Sequence, residues 1–292
     1  MKLAIRMTLT ILVLVSLSQL ANAQWWMENL PVPDKVVPYK QAEDLDGEVQ
    51  EVTLRIFYPE NQKESNPAVL IFHGGNFNRA VSNMTHHLAV RWQQRGLIAI
   101  AVEFRTSDKF DIRPPEALGD TFDALEYVHE NAKDLKVDPD RIVACGGSGG
   151  GFIAAALATL ERKKPGLPAA AVVFNGKFSV VGTDSSRRRQ TVAWANVSIE
   201  ERRAMSPILH VDSLDAPVIQ FHGTEDRATS WTRARDFNDE LVKQGVHCEL
   251  HIYGGKSHGF WNGSYIPNTD DVIFDEVMGM SMRFLRELEV VD

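Results

Sequence analysis

Ser148 stands in Gly146-Gly147-Ser148-Gly149-Gly150, directly after the apolar run Ile142 to Cys145 and ahead of an Ala-rich stretch ending at Leu160. A serine so placed sits on a tight strand-to-helix turn. Its flanking glycines tolerate strained backbone, and the helix N-terminus favours developing negative charge. A serine hydroxyl is a poor nucleophile at neutral pH, so the chemistry needs an imidazole to take its proton and a carboxylate to orient that imidazole. His222-Gly223-Thr224-Glu225-Asp226 follows a later strand-like run and supplies the acid. Lys256-Ser257-His258-Gly259-Phe260 follows the last such run and supplies the imidazole. Glu225 is the rival acid, and the Gly-x-x-Asp spacing selects Asp226. The order Ser148, Asp226, His258 is the one expected for such a triad on a doubly wound fold. Among the other histidines, His86, His87 and His129 fall on helical patterns as packing or surface residues, while His73 and His222 head glycine turns as loop braces.

Attack on an acyl carbon creates an oxyanion, which needs two fixed N–H donors. The N–H of Gly149 is one. His73-Gly74-Gly75, after an earlier apolar run, offers the other from Gly75 or its neighbours, Gly74 included, because glycine lets the backbone approach closely. Alone, the serine motif also fits a phosphate-cradling turn or a plain helix start, and the His-Gly-Gly an ordinary turn. All four motifs in this order, each at the C-terminal end of a strand-like run, point to acyl transfer.

These residues must be carried by a parallel sheet. Ala68–His73, Leu97–Val102, Arg141–Cys145, Ala169–Phe174, Pro217–Phe221 and His247–Tyr253 are short continuous apolar runs, the pattern of strands buried on both faces. Val49, Val52, Leu54 and Ile56 mark an earlier strand after a leader punctuated by Pro31, Pro33 and Pro38. Helical spacing recurs at Leu118, Phe122, Leu125, His129 and Ala132, at Trp231, Ala234, Phe237 and Leu241, and again from Asp270 to Leu288. The expectation is an α/β fold with a doubly wound, mostly parallel sheet and a small lid insertion around 176–206. No linker divides residues 24–292, which read as one catalytic domain.

The chain has 292 residues, 44% of them hydrophobic and 24% charged, with a formal net charge of -8, values that set aside disorder and multi-pass membrane classes. Lys2 and Arg6, an apolar run from Leu9 to Leu17 and then Ala21-Asn22-Ala23 form a three-part export signal over residues 1–23, cleaved before Gln24. Secreted or periplasmic placement follows, with no stable membrane association after cleavage. The processed chain is more acidic still, and Arg187-Arg188-Arg189 is the one basic block, so nucleic acid is not an expected partner. Two cysteines, Cys145 and Cys248, read as small buried apolar residues in separate strands, and no Cys/His spacing suits a metal. No cofactor is expected.

With these motifs the sequence resembles the α/β-hydrolase superfamily over essentially the whole processed chain, and within it the secreted bacterial esterases of the acetyl-esterase and feruloyl-esterase-like group. The resemblance implies Ser148 as nucleophile, Asp226 and His258 as acid and base, and His73-Gly74-Gly75 as the oxyanion loop. Two positions depart from the pattern. Asn76 stands where a third glycine is usual, and Gly149 stands where Ala is common. The Tyr-Arg pair common after the fourth strand is here Phe104-Arg105, with Arg105 structural. The implied reaction is hydrolysis of a small ester or an acylated oligosaccharide such as a xylan fragment. Asn76, Trp194 and Trp261 are the candidate substrate contacts, because flat rings bury the apolar faces of sugars. A prolyl-oligopeptidase-like peptidase would use the same triad but normally carries a propeller domain for which 292 residues leave no room. A non-catalytic binding protein on this scaffold would be expected to have lost a triad member.

Overall fold

The alternation of side chains along each central strand determines the layers. In the computed structural model, which describes residues 30–79, 84–160, 166–181, 192–263 and 271–292, Leu70 and Phe72 enter one hydrophobic cluster and Val69 and Ile71 the other. Both faces are therefore covered, which is why these strands read as unbroken apolar runs. The export signal at 1–23 and Arg187–Arg189 lie outside the described residues.

Eight strands form one sheet: β1 (Lys35–Glu43), β2 (Val49–Phe57), β3 (Asn66–Phe72), β4 (Ile98–Val102), β5 (Val137–Gly147), β6 (Ala170–Phe174), β7 (Val218–Gly223) and β8 (Cys248–Tyr253). The order is β1-β2-β4-β3-β5-β6-β7-β8. β2 runs antiparallel to both β1 and β4, and all other pairings are parallel. The helices are α1 (Met84–Gln93), α2 (Pro114–Glu130), α3 (Ala132–Leu135), α4 (Gly149–Thr159), α5 (Val192–Ala195), α6 (Ile199–Ala204), α7 (Trp231–Lys243) and α8 (Asp271–Glu287), with a 3-10 turn at Pro207–Leu209. α1 and α8 pack on one face through Leu88, Trp92, Phe274 and Phe284, while α2, α4 and α7 pack on the other through Leu125, Phe152 and Phe237. No described helix is long and apolar enough to cross a membrane.

β1 departs from expectation. The segment read as a Pro-punctuated leader is an edge strand from Lys35 to Glu43, with Pro38 at a register shift. An edge position lets proline lack an N–H without breaking a ladder, so its presence did not exclude a strand. The cysteines also divide. Cys145 is buried in β5, but Cys248 in the edge strand β8 is only half-buried, its thiol donating to Asn238 Oδ1 at 2.9 Å. Behind the sheet edge, the wholly buried Asp120 takes Arg105 through Nε and Nη2 at 2.7 Å each and Lys40 Nζ at 2.6 Å, which anchors the loop after β4.

The chain passes from β3 to β4 on one side and then returns to β5 on the other side of β3. That reversal opens a crevice between the C-terminal ends of β3 and β5, where open α/β sheets place ligands. Phe72 is in register with Gly146, and Gly147 with Phe174, so the loops after β3, β5 and β6 leave the sheet at one level.

Candidate active site

Ser148 occupies the crevice on a strained turn, with φ 59° and ψ -117° between the end of β5 and the start of α4. Such backbone in a non-glycine residue costs about 1–3 kcal/mol and persists only where its surroundings over-determine it. Here they do. Ser148 N donates to Phe174 O at 2.9 Å. A Cβ on Gly150 would lie 1.9 Å from Phe72 O, and one on Gly146 2.4 Å from Gly150, so glycine at both positions lets β5 and α4 close the elbow against β3.

Asp226 and His258 arrive from the loops after β7 and β8. His258 Nδ1 donates to Asp226 Oδ2 at 2.7 Å. Asn175 Nδ2 donates to the same oxygen at 2.7 Å and Thr229 Oγ1 at 2.8 Å, while Ala228 N and Thr229 N donate to Oδ1 at 2.8 and 2.9 Å. Burial alone would raise the carboxyl's pKa. The His222 and His258 side chains and the Thr229 N–H outweigh it and hold Asp226 well below the usual carboxylate range. His222 contributes by proximity, since its Nε2 donates to Thr229 O at 2.9 Å and lies 3.5 Å from Asp226 Oδ2. A permanently ionised Asp226 keeps the His258 proton on Nδ1, leaving Nε2 as the basic nitrogen. His258 and Ser148 line one cavity with no hydrogen bond between them, as is common before a substrate tightens the arrangement.

Across the crevice, three successive carbonyls of the β3 loop are pinned. Gly74 O accepts from His73 Nδ1 at 2.6 Å, Gly75 O from Asn78 N at 3.1 Å, and Asn76 O from Asn78 Nδ2 at 2.9 Å and Trp194 Nε1 at 3.2 Å. In a trans peptide the N–H points opposite its carbonyl, so these bonds also set the directions of the Gly75, Asn76 and Phe77 N–H groups. The His73 ring is stacked on Phe104 at 4.1 Å, and burial lowers its pKa to about 4, keeping it neutral with Nδ1–H available. Gly149 opens α4, so its N–H lacks an intrahelical acceptor. A Cβ on Gly149 would come within 2.9 Å of Asn76 N. The two unusual residues are thus linked: Asn76 replaces the third glycine, and Gly149 leaves room for the loop that carries it. Gly74 lies against the nucleophile, where a Cβ would meet Ser148 Cβ at 3.5 Å and Oγ at 3.9 Å.

Residues 54–196 match the BD-FAE family model. Carboxylesterase NlhH of Mycobacterium tuberculosis is 30% identical over 148 residues, covering 49% of this chain and 45% of the relative. The isoprenylcysteine alpha-carbonyl methylesterase ICME of Arabidopsis thaliana is 24% identical over 251 residues, 78% of this chain and 58% of the relative. The chain spans about half the length of these curated relatives. The apo structure of Thermogutta terrifontis esterase 2 superposes with a TM-score of 0.77 at 25% identity, covering 90% of this chain and 97% of that one. The fold is that of the α/β-hydrolase superfamily, and the chain is similar to esterases within it.

The cavity holds about 340 Å³ and is lined by Ser148, His258, His73, Gly74, Gly75 and Gly147, with Ile71, Phe72, Leu88 and Trp261 as apolar walls and Arg79, Thr85, Gly259 and Asn262 completing the described lining. Trp261 stacks on Phe174 at 4.4 Å and 13°. Its ring occupies the space beside Gly147, where a Cβ would fall 2.0 Å from Trp261 Cζ2. Of the three candidate substrate contacts, Trp261 alone lines the cavity. Trp194, on α5, is buried against Phe77 and under Arg202, and its indole N–H braces Asn76 O. Asn76 is exposed and absent from the described lining; its backbone O accepts from Trp194 Nε1 and its backbone N lies beside Gly149. The described part of the insertion, α5 and α6, therefore supports the oxyanion loop; the tip at 182–191 lies outside the described residues.

Sequence reading missed Asn175 and Thr229, which hold Asp226. Signals existed for both. Asn175 is a polar residue, at φ 47°, ending a wholly apolar strand and preceding Gly176. Thr229 falls three residues after Asp226, the spacing of a carboxylate that caps its own turn. It also missed Arg79, Thr85 and Leu88 as cavity residues, since nothing in a loop and helix start after the glycines marks which side chains face Ser148.

Proposed function

We propose that this protein is a serine carboxylic-ester hydrolase working through an acyl-enzyme. The observation that carries the reading is the 2.7 Å Asp226–His258 pair lining the same cavity as the strained Ser148, opposite backbone N–H groups whose directions are fixed. Ser148 Oγ attacks the acyl carbon as His258 Nε2 takes its proton. The oxyanion is held by the N–H of Gly149 and one from the His73-Gly74-Gly75-Asn76 loop. His258 then passes the proton to the departing alcohol. Water, deprotonated by the same nitrogen, releases the acid and restores the serine, so one ester and one water give one acid and one alcohol.

A short or flat acyl group fits a cavity of about 340 Å³ walled by Trp261 and Leu88. Thermogutta terrifontis esterase 2, similar in structure, has been solved with propionate and with butyrate bound. We infer acetyl or aromatic acyl groups on plant polysaccharide fragments such as xylan, acted on after export directed by residues 1–23. The test is a panel of acetylated xylo-oligosaccharides, feruloyl esters and p-nitrophenyl acetate and butyrate, run on wild type and Ser148→Ala. Expected are turnover of sugar acetates or feruloyl esters, and loss of about 10³-fold or more in kcat in the variant. No turnover across the panel, or a variant retaining most activity, overturns the proposal.

A further inference from the structure

Charge in the cavity runs against the charge of the chain. The sequence carries 39 Asp and Glu against 31 Lys and Arg, yet among the described residues no carboxylate lines the cavity, whereas Arg79 does. Most described arginines pair with an acid, as Arg55, Arg91, Arg105, Arg113, Arg141 and Arg283 do. Arg79 has no acidic partner among the described residues, and the four residues after it, Ala80 to Asn83, include none. The other ionisable groups in the lining do not supply a standing charge. His73 is kept neutral by burial, and His258 is already matched by Asp226. A guanidinium offers forked donors suited to a carboxylate, and here it shares the cavity with the apolar faces of Leu88 and Trp261.

We propose that Arg79 is a specificity residue that makes this cavity prefer esters bearing a carboxylate or comparable anion, on either the acyl or the alcohol side, over neutral esters of the same shape. The inference rests on the esterase reading of the same site. A strongly acidic chain repels anions at long range, so the preference must arise from direct contact with this side chain.

Two matched pairs test it. Ethyl hydrogen adipate against ethyl hexanoate places the charge on the acyl side, and 4-acetoxybenzoate against 4-tolyl acetate places it on the alcohol side. The quantity read is the anionic-to-neutral ratio of kcat/KM, which cancels any general effect of a variant on turnover. In at least one pair the ratio is expected to fall on the order of tenfold in Arg79→Gln, to be largely kept by Arg79→Lys, and to shrink in wild type as NaCl rises to 0.5 M. Neutral esters turned over with both ratios unmoved by Arg79→Gln and by salt would overturn this proposal and leave the esterase reading standing. Failure to hydrolyse any of the four esters would overturn both.

Discussion

Replacing Asp226 with asparagine tests the site most sharply, because every group around that carboxylate is a donor. Oδ1 accepts from the backbone N–H groups of Ala228 and Thr229, which cannot turn, so an amide NH₂ is excluded from that position. It must take the place of Oδ2, facing Asn175, Thr229 and His258. Two of these can adapt. Asn175 Oδ1 is buried without a partner, so a flip of that amide turns a donor into an acceptor. Thr229 Oγ1 can donate instead to Asn175 O at 3.1 Å, leaving a lone pair for the new NH₂. His258 can then accept at Nδ1 only by moving its proton to Nε2, the nitrogen needed to deprotonate Ser148. The fold should therefore survive with a loss of roughly 1–3 kcal/mol, the range for replacing a charged acceptor in a network that can still pair. Catalysis should fall by about 10⁴-fold in kcat, or roughly 5.5 kcal/mol of transition-state stabilisation, as expected for an imidazole held in the wrong tautomer. Urea denaturation and p-nitrophenyl acetate kinetics on the same preparation separate the two effects. A folded Asp226→Asn protein keeping more than a tenth of the wild-type kcat would refute the reasoning about the proton on His258.

Two further outcomes follow from the same neighbourhood. Gly147→Ala would drive a Cβ to 2.0 Å from the nearly buried Trp261 ring, so a destabilisation of roughly 3 kcal/mol is expected in urea, and combining it with Trp261→Leu should lose less than the sum of the two single variants. For His73, burial sets the folded pKa at about 4, below the ordinary value of 6.5. The unfolded chain thus takes up its proton first as pH falls. The stabilisation is complete above about pH 6.5 and is lost progressively down to about pH 4, by roughly 3 kcal/mol in total. His73→Asn, which keeps a donor for Gly74 O, should flatten that part of the urea-midpoint profile between pH 7 and 4, and identical slopes in the two proteins would count against a buried neutral imidazole.

Much of the fold was legible because burial on both faces leaves a local trace. β3, β4, β6, β7 and the Ile142–Cys145 stretch of β5 are apolar nearly throughout, and the glycine-containing turns after β5, β7 and β8 mark Ser148, Asp226 and His258. β1 left no such trace, since an edge strand needs neither continuous apolar residues nor every N–H, and Pro38 concealed it. Cys248 was misjudged for the same reason: sequence does not say which strand closes the sheet.

By itself the sequence determined the chemistry on offer: which residues can attack, which can carry a proton, and that each follows a strand. Only the tertiary structure decided which side chains serve them. Asn175 and Thr229 meet Asp226 because β6 and β7 are neighbours in register, 51 residues separating Asn175 from Asp226 along the chain. Trp194 braces the oxyanion loop from 118 residues beyond Asn76. Residue type and local periodicity record what each segment must bury. They do not record which distant donor completes a hydrogen bond, because that is set by strand order and register across the whole sheet.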